Sequence, residues 1–227
     1  MKKIVVLTGA GVSAESGINT FRDANGLWEG HDVTKVASPQ GWVQDQELVL
    51  DFYNKRRREL KKVHPNPAHL ALKKLEEKYD VDIITQNIDD LHERAGSSKV
   101  IHLHGELKKV RSTFDDDLIL DWEEDLNLGD FCEHNHQLRP HVVWFGEPVP
   151  MMEKAIRITM DADILIIIGT SMQVYPAAGL IDFISEETEV HFIDPRPTVR
   201  ETKGLKVYAE KAAEGVPKLV NRLLDEA

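Results

Sequence analysis

The sequence predicts an α/β protein built on a doubly wound parallel sheet, and three observations lead there. Ile4 to Leu7 is a short apolar run that enters a glycine turn, Gly9-Ala10-Gly11-Val12-Ser13-Ala14. Ile164 to Ile168 (ILIII) is a second continuous apolar run of strand length. Such runs mark strands buried on both faces. Runs of this type alternate with stretches of helical period along the chain, the order that places helices on both faces of a parallel sheet.

The first turn fits G-x-G-x-x-G/A, with Ala14 in third place. Gly9 permits the tight turn and Gly11 lets backbone approach a pyrophosphate. The N–H groups opening the next helix then face the negative charge. A strand–glycine–helix turn also occurs without any ligand, so the motif alone leaves both readings open. A hydride-transfer enzyme places a second strand ending in Asp or Glu about 20 residues on. Here that region reads FRDANGLWEGHD, a long loop with no strand period.

Pro39 to Val63 has helical period, with Trp42, Val43, Leu48, Val49, Phe52 and Tyr53 as its apolar stripe. Its basic run Lys55 to Arg58 reads as a solvated face. Asn66 as N-cap and Pro67 at the first helical position open another helix, with Leu70, Leu72 and Leu75 toward the core. Val81–Thr85, Val100–Leu103, Val190–Ile193 and Leu205–Tyr208 read as further strands, and Val216–Leu224 as a closing helix. Five strand ends run into polar or small residues: Gly9; Thr85-Gln86-Asn87-Ile88-Asp89; His104-Gly105; Gly169-Thr170-Ser171; and Asp194. In a doubly wound sheet, ligands lie outside these ends. Asp194 suits either a ribose hydroxyl or the cap of the turn before Pro195.

The 227 residues suffice for one large domain or one domain with an insert. A net charge of 28 − 39 = −11 argues against nucleic-acid binding. The single cysteine, Cys132, excludes an internal disulfide and suits a reducing compartment. Met1-Lys2-Lys3 resembles the start of a signal peptide, but the apolar run stops at Thr8-Gly9, and no stretch reaches membrane-spanning length. The expectation is a cytoplasmic protein, monomeric, with neither nucleic acid nor membrane as partner.

Gly9-Ala10-Gly11, Ser13, Ser16-Gly17-Ile18, Phe21-Arg22-Asp23, the run TQNIDDLHERAG from Thr85 to Gly96, His104-Gly105, RPHVVWFGE from Arg139 to Glu147, and Gly169-Thr170-Ser171 together closely resemble the sirtuins. The resemblance spans nearly the whole chain, in order. It implies an NAD-dependent protein-lysine deacylase with a Rossmann-like domain (1–29, 63–106 and 141–227) and a small domain made from two inserts (30–62 and 107–140). The acyl-lysine oxygen would attack C1′ of the nicotinamide ribose. His104 would be the general base for a ribose hydroxyl, and a histidine's unperturbed pKa of about 6.5 suits that role. Products would be nicotinamide, acyl-ADP-ribose and free lysine. By the same resemblance, Gly9, Ala10, Gly11, Ser13, Phe21, Arg22, Gln86, Asn87, Asp89, Gly169, Thr170, Ser171 and Asp194 would bind NAD. Gly146, Glu147, Val174 and Tyr175 would receive the substrate peptide as an added strand. A mono-ADP-ribosyltransferase and a non-catalytic NAD-binding module are the competing functions.

Two features refine this expectation. Most relatives carry two Cys-x-x-Cys pairs that hold a structural zinc. Here Ser112 and Asp115 stand for the first pair, and the second region, FCEHNH, has only Cys132. Zinc is expected to be absent, with Leu118, Ile119, Leu120, Trp122, Leu126, Leu128 and Phe131 packing in its place. The alternative is a site of Asp115, Cys132, His134 and His136. Second, Tyr53 and Arg56 share a helix face. Some sirtuins carry a similar Tyr-x-x-Arg pair and prefer succinyl- or malonyl-lysine, whose carboxylate an arginine fork can hold.

Overall fold

The computed structural model of the chain describes residues 1–19 and 27–227. In chain order its elements are β1 (Lys3–Thr8), β2 (Leu27–Trp28), β3 (His31–Asp32), α1 (Val33–Val36), α2 (Pro39–Gln44), α3 (Gln46–Leu60), α4 (Pro67–Leu75), β4 (Asp80–Thr85), α5 (Leu91–Arg94), β5 (Val100–His102), β6 (Gly105–Ser112), β7 (Ile119–Asp121), β8 (Leu138–Val142), α6 (Met152–Met160), β9 (Ile164–Ile168), β10 (Glu189–Ile193), β11 (Leu205–Tyr208) and α7 (Ala212–Glu226). Short 3-10 segments follow β1, at Ala10–Val12 and Ala14–Ser16, and β9, at Ala177–Phe183.

Among the described residues, β11-β10-β9-β1-β4-β5 form one parallel sheet. Counted along the chain within this sheet, that is the order 3-2-1-4-5-6. The connections reverse direction between β1 and β9, and a crevice opens at such a switch point. Alternation along β1 divides the core. Ile4 and Val6 pack with Leu72, Leu75, Leu219 and Leu223 from α4 and α7 on one face. Val5 and Leu7 pack with Ala155 and Leu180 on the other. The continuous apolar runs read from the sequence are thus strands covered twice.

A third cluster lies outside this sheet. Trp42, Val49, Phe52 and Tyr53 from α2 and α3 pack on Leu107, Val110, Leu138, Val142 and Trp144 of the antiparallel sheet β7-β6-β8 and the segment after it. The α/β class with a smaller inserted sheet therefore stands.

Several local expectations change. The predicted single helix from Pro39 to Val63 is two helices broken at Asp45, whose carboxylate caps α3 by accepting from the Leu48 N–H at 2.9 Å. Val43 and Leu70, assigned to the core, are 80% and 49% exposed. Ile119, Leu120, Leu128 and Phe131 are also exposed, so they do not form the small core expected in place of zinc. Leu126 is buried, and Leu118 and Trp122 pack partly against the third cluster. Arg57, read as solvated, is 1% exposed. Its Nε donates to the Leu107 carbonyl at 3.1 Å and its Nη1 to Asn54 Oδ1 at 2.7 Å, tying α3 to β6. The N-cap at Asn66 is as expected and is reinforced. Asn66 Oδ1 accepts from Ala68 N, while Nδ2 donates to Val12 O at 2.8 Å and Ser16 Oγ at 3.0 Å.

Candidate active site

The turn after β1 closes against the end of β9. Gly9 N donates to Ile168 O at 3.0 Å and Gly11 N to Gly169 O at 2.8 Å. A Cβ on Gly9 would lie 2.8 Å from the Gly169 carbonyl, and one on Gly11 would lie 2.6 Å from Gly169 Cα. The missing side chain at Gly11, read as room for a pyrophosphate, is therefore already required by Gly169. The chain continues in 3-10 turns, where a helix was expected.

Three polar side chains meet above this turn. Ser13 Oγ donates to Asp89 Oδ2 at 2.9 Å and accepts from Asn87 Nδ2 at 3.1 Å. Asp89 Oδ1 accepts from the Leu91 N–H at 3.1 Å. Burial raises the Asp89 pKa, against the opposing pull of these two donors. Gln86 Nε2 donates to Thr170 Oγ1 at 3.1 Å, linking the ends of β4 and β9 across β1. Thr170 Oγ1 also accepts from Met172 N, and the Ser171 carbonyl accepts from Thr198 Oγ1. Asp194, 1% exposed, accepts from Arg196 N at 2.9 Å, so the turn cap foreseen for it is made.

His104 follows β5. Its Nδ1 lies 3.0 Å from the Gln86 carbonyl. A carbonyl can only accept, so Nδ1 carries the proton and Nε2 keeps its lone pair. Burial lowers the His104 pKa below 6.5, partly offset by that hydrogen bond. The ring is therefore neutral near pH 7, with a bare nitrogen available to accept a proton.

His102, two residues earlier, escaped the sequence reading. Its Nδ1 donates to the Asn87 carbonyl at 2.8 Å and its Nε2 lies 2.7 Å from Glu93. Two acceptors call for two protons. Burial opposes the charge, but the carboxylate outweighs it and raises the His102 pKa. The spacing His102-x-His104 was the available signal, since alternate residues of an extended segment share a side.

Tyr53 is fully buried, and its hydroxyl accepts from Trp144 Nε1 at 3.0 Å. Arg56 lies over the Phe52 ring, 4.1 Å from its centroid, and its Nη1 donates to Phe52 O at 2.8 Å. Glu29 is 3.6 Å from its Nη2 and Glu59 is 3.9 Å from its Nε.

Glu147, expected to receive peptide, is committed internally. Its carboxylate accepts from Arg139 at 2.7 Å, from Arg111 at 3.3 Å and from Trp144 N at 2.7 Å, while its own N–H donates to Trp144 O. Gly146, with φ +92°, Val174 and Tyr175 lie in turns and irregular backbone. Phe21 and Arg22 lie outside the described residues.

The four candidate metal ligands are engaged with other partners. Cys132 Sγ is 3.3 Å from Ser112 Oγ, His136 stacks on Phe114 at 4.4 Å, and Asp115 accepts from Asp117 N. His134 is exposed beside Glu133. Among the described residues no three of His, Cys, Asp or Glu are grouped to hold a metal ion, and the region offers a single cysteine where a Cys-rich zinc site needs several. No described helix is long and apolar enough to cross a membrane.

The switch-point crevice, the glycine turn seated on Gly169 and the buried polar groups around Ser13 fit a dinucleotide. Comparison with known proteins agrees. The Sir2 family model matches residues 9–176. An NAD-dependent protein deacylase of Helicobacter pylori is 54% identical over 228 residues, covering all of both chains. One of Bacteroides thetaiotaomicron is 49% identical over 231 residues, covering 99% of each. A solved Sir2 homologue–NAD complex superposes with TM-score 0.87 at 39% identity, covering 99% of this chain and 90% of that one. A Sir2 structure bound to acetylated peptide gives 0.79 at 30% identity, covering 98% and 92%.

Proposed function

Since the chain belongs to the Sir2 family and is an NAD-dependent protein deacylase, we propose that His104 is its general base and that lysine side chains of proteins are its substrates. The observation that carries the first assignment is the His104 tautomer, with Nδ1 protonated toward Gln86 O and Nε2 bare. Bound NAD supplies the ribosyl carbon that accepts the acyl oxygen as nicotinamide leaves. His104 Nε2 then takes the proton of a ribose hydroxyl. Ser13, Asn87 and Asp89 hold the nicotinamide side, and their mutual hydrogen bonds fix their orientation before the ligand arrives. Gln86 holds ribose hydroxyls, and Thr170, Ser171 and Asp194 meet the adenosine half, with Gly9, Ala10, Gly11 and Gly169 around the cofactor. The family resemblance assigns Phe21 and Arg22 to the cofactor as well. The peptide lies along Gly146 and Val174-Tyr175.

The small module, taken as residues 30–62 and 107–140, folds without zinc in this reading. Its own apolar cluster and the Arg111–Glu147–Arg139 contacts support that.

Arg56 holds the carboxylate of a succinyl or malonyl group, and Tyr53 lines the acyl pocket. Arg56 is mostly buried and keeps donors to spare, which supports this role. Incubation with NAD and one peptide bearing acetyl- or succinyl-lysine tests the whole reading by mass spectrometry. Acyl-ADP-ribose and free lysine are expected, with higher kcat/KM for succinyl. ADP-ribosylated protein or unchanged NAD would overturn it. Arg56→Met should remove most succinyl activity and keep the acetyl activity.

A further inference from the structure

The Arg56 guanidinium is held firmly but is not fully bonded. Nη1 donates to Phe52 O at 2.8 Å and the plane rests on the Phe52 ring. Nε is buried and has no hydrogen-bond partner among the described residues. Two carboxylates approach the edge formed by Nε and Nη2, yet neither reaches hydrogen-bond distance: Glu29 at 3.6 Å from Nη2 and Glu59 at 3.9 Å from Nε. An Nε/Nη2 edge is one of the two places where a guanidinium binds a carboxylate through parallel hydrogen bonds. Here that edge faces internal anions at ion-pair range. The two are unequal. The Glu59 side chain is 58% exposed, so solvent screens it. The Glu29 side chain is only 21% exposed, beside an arginine side chain at 12%.

We propose that Glu29 is a specificity-determining residue: its carboxylate stands in for the acyl carboxylate at Arg56 and competes with it. The proposal rests on the assignment of Arg56 to the acyl group. A succinyl or malonyl carboxylate must displace Glu29 from Nη2 or accept a like charge beside it. An acetyl group brings no charge and meets neither demand. Glu29 therefore narrows the advantage that Arg56 gives to dicarboxylic acyl groups, and it keeps the buried guanidinium neutralised when the pocket holds an uncharged acyl chain. The competition acts in binding, so it belongs in KM rather than kcat.

The test compares kcat and KM for succinyl- and acetyl-lysine on one peptide in four proteins: wild type, Glu29→Gln, Arg56→Met and the double variant. Glu29→Gln keeps the shape and removes the charge. It should raise the succinyl-to-acetyl ratio of kcat/KM about two- to fivefold, the range of a partly exposed ion pair, through a lower KM for the succinyl peptide. In the Arg56→Met background the same change should leave the ratio where it was, because the two effects share one partner. Glu59→Gln should move the ratio less than Glu29→Gln. An unchanged or lower ratio in Glu29→Gln, with Arg56→Met still losing succinyl activity, overturns the role of Glu29 and leaves that of Arg56 intact. Succinyl activity that survives Arg56→Met overturns both, and the single variant alone reveals it. A ratio that rises equally with and without Arg56 also overturns the proposal.

Discussion

The crevice at the strand ends and the antiparallel module beside it both bury polar groups, but they use them differently. In the crevice the groups are mostly uncharged partners in short chains: Asn87 to Ser13 to Asp89, Gln86 to Thr170, His104 to a carbonyl. His104 retains a bare nitrogen there. In the module the groups are charged and answer one another. Arg111 and Arg139 converge on Glu147, and the Arg139 guanidinium lies 3.3 Å over the Trp144 ring. The first region is arranged for a ligand that brings charge and hydrogen bonds. The second is closed on itself, its charges answered from within.

If that division of labour is right, His104→Ala should cost activity and little else. Deacylation should fall by about 10² to 10⁴, with the melting temperature close to wild type. A steep loss of stability would mean that the crevice also holds the fold.

Glu147→Ala should do the reverse. It leaves two largely buried guanidiniums without their carboxylate, at a cost of about 3 kcal/mol in urea unfolding. Acetyl and succinyl turnover should fall together, in proportion to folded protein. A loss within experimental error would show that the module does not depend on this cluster.

Acid should weaken the floor of the crevice. His92 Nε2 bonds Thr8 Oγ1, and its ring lies 4.8 Å from that of His69. Burial drives the His69 pKa down to about 4 and that of His92 well below 6.5. Each folded-state value is depressed, so the unfolded chain takes up protons first as pH falls. Stability is whole above about pH 6.5 and is lost as pH drops toward 4. For His69 alone, the loss from pH 7 to pH 5 should be on the order of 2 kcal/mol. A denaturation midpoint that stays flat over that interval would contradict neutral burial.

Arg57→Met probes the joint between the two inserted segments of the module. Losing the bonds to Leu107 O and Asn54 should cost about 1–2 kcal/mol, without altering the succinyl-to-acetyl ratio. Arg58→Met, at an exposed neighbour, should be near neutral. The smallest effect is expected from a strong zinc chelator, which should leave the melting temperature unchanged. A chelator-induced drop, with zinc found by elemental analysis, would return the module to the metal-held kind.

The parallel sheet was legible because burial on both faces leaves runs such as Ile164 to Ile168 with nothing polar in them. The residues at strand ends were legible for the same reason, as abrupt changes of type. Strand β6, GELKKVRS, was not. It buries Arg111 and Ser112 along with Leu107 and Val110, so its inward side is not apolar in type. Arg57 was hidden by its neighbours. Of four consecutive basic residues it is the most deeply buried, and the difference is made by a carbonyl of β6 distant in sequence. Gly11 was assigned to a ligand because local sequence cannot show Gly169 packed against it. Roles for Tyr53, Arg56 and Glu147 depend on which groups meet in space, and nothing in the local sequence sets Glu29 apart, because only the fold brings its carboxylate beside Arg56.

The joint at Asn66 has a consequence for the working lifetime of the protein. Its amide nitrogen holds Val12 and Ser16 of the segment after β1 while its oxygen caps α4. Asparagine side chains age by losing ammonia when the next residue's backbone nitrogen attacks them. The next residue here is Pro67, whose nitrogen carries no hydrogen. The usual cyclic imide route is therefore closed at Asn66, whose conversion to aspartate would set a negative charge against two acceptors that now receive hydrogen bonds.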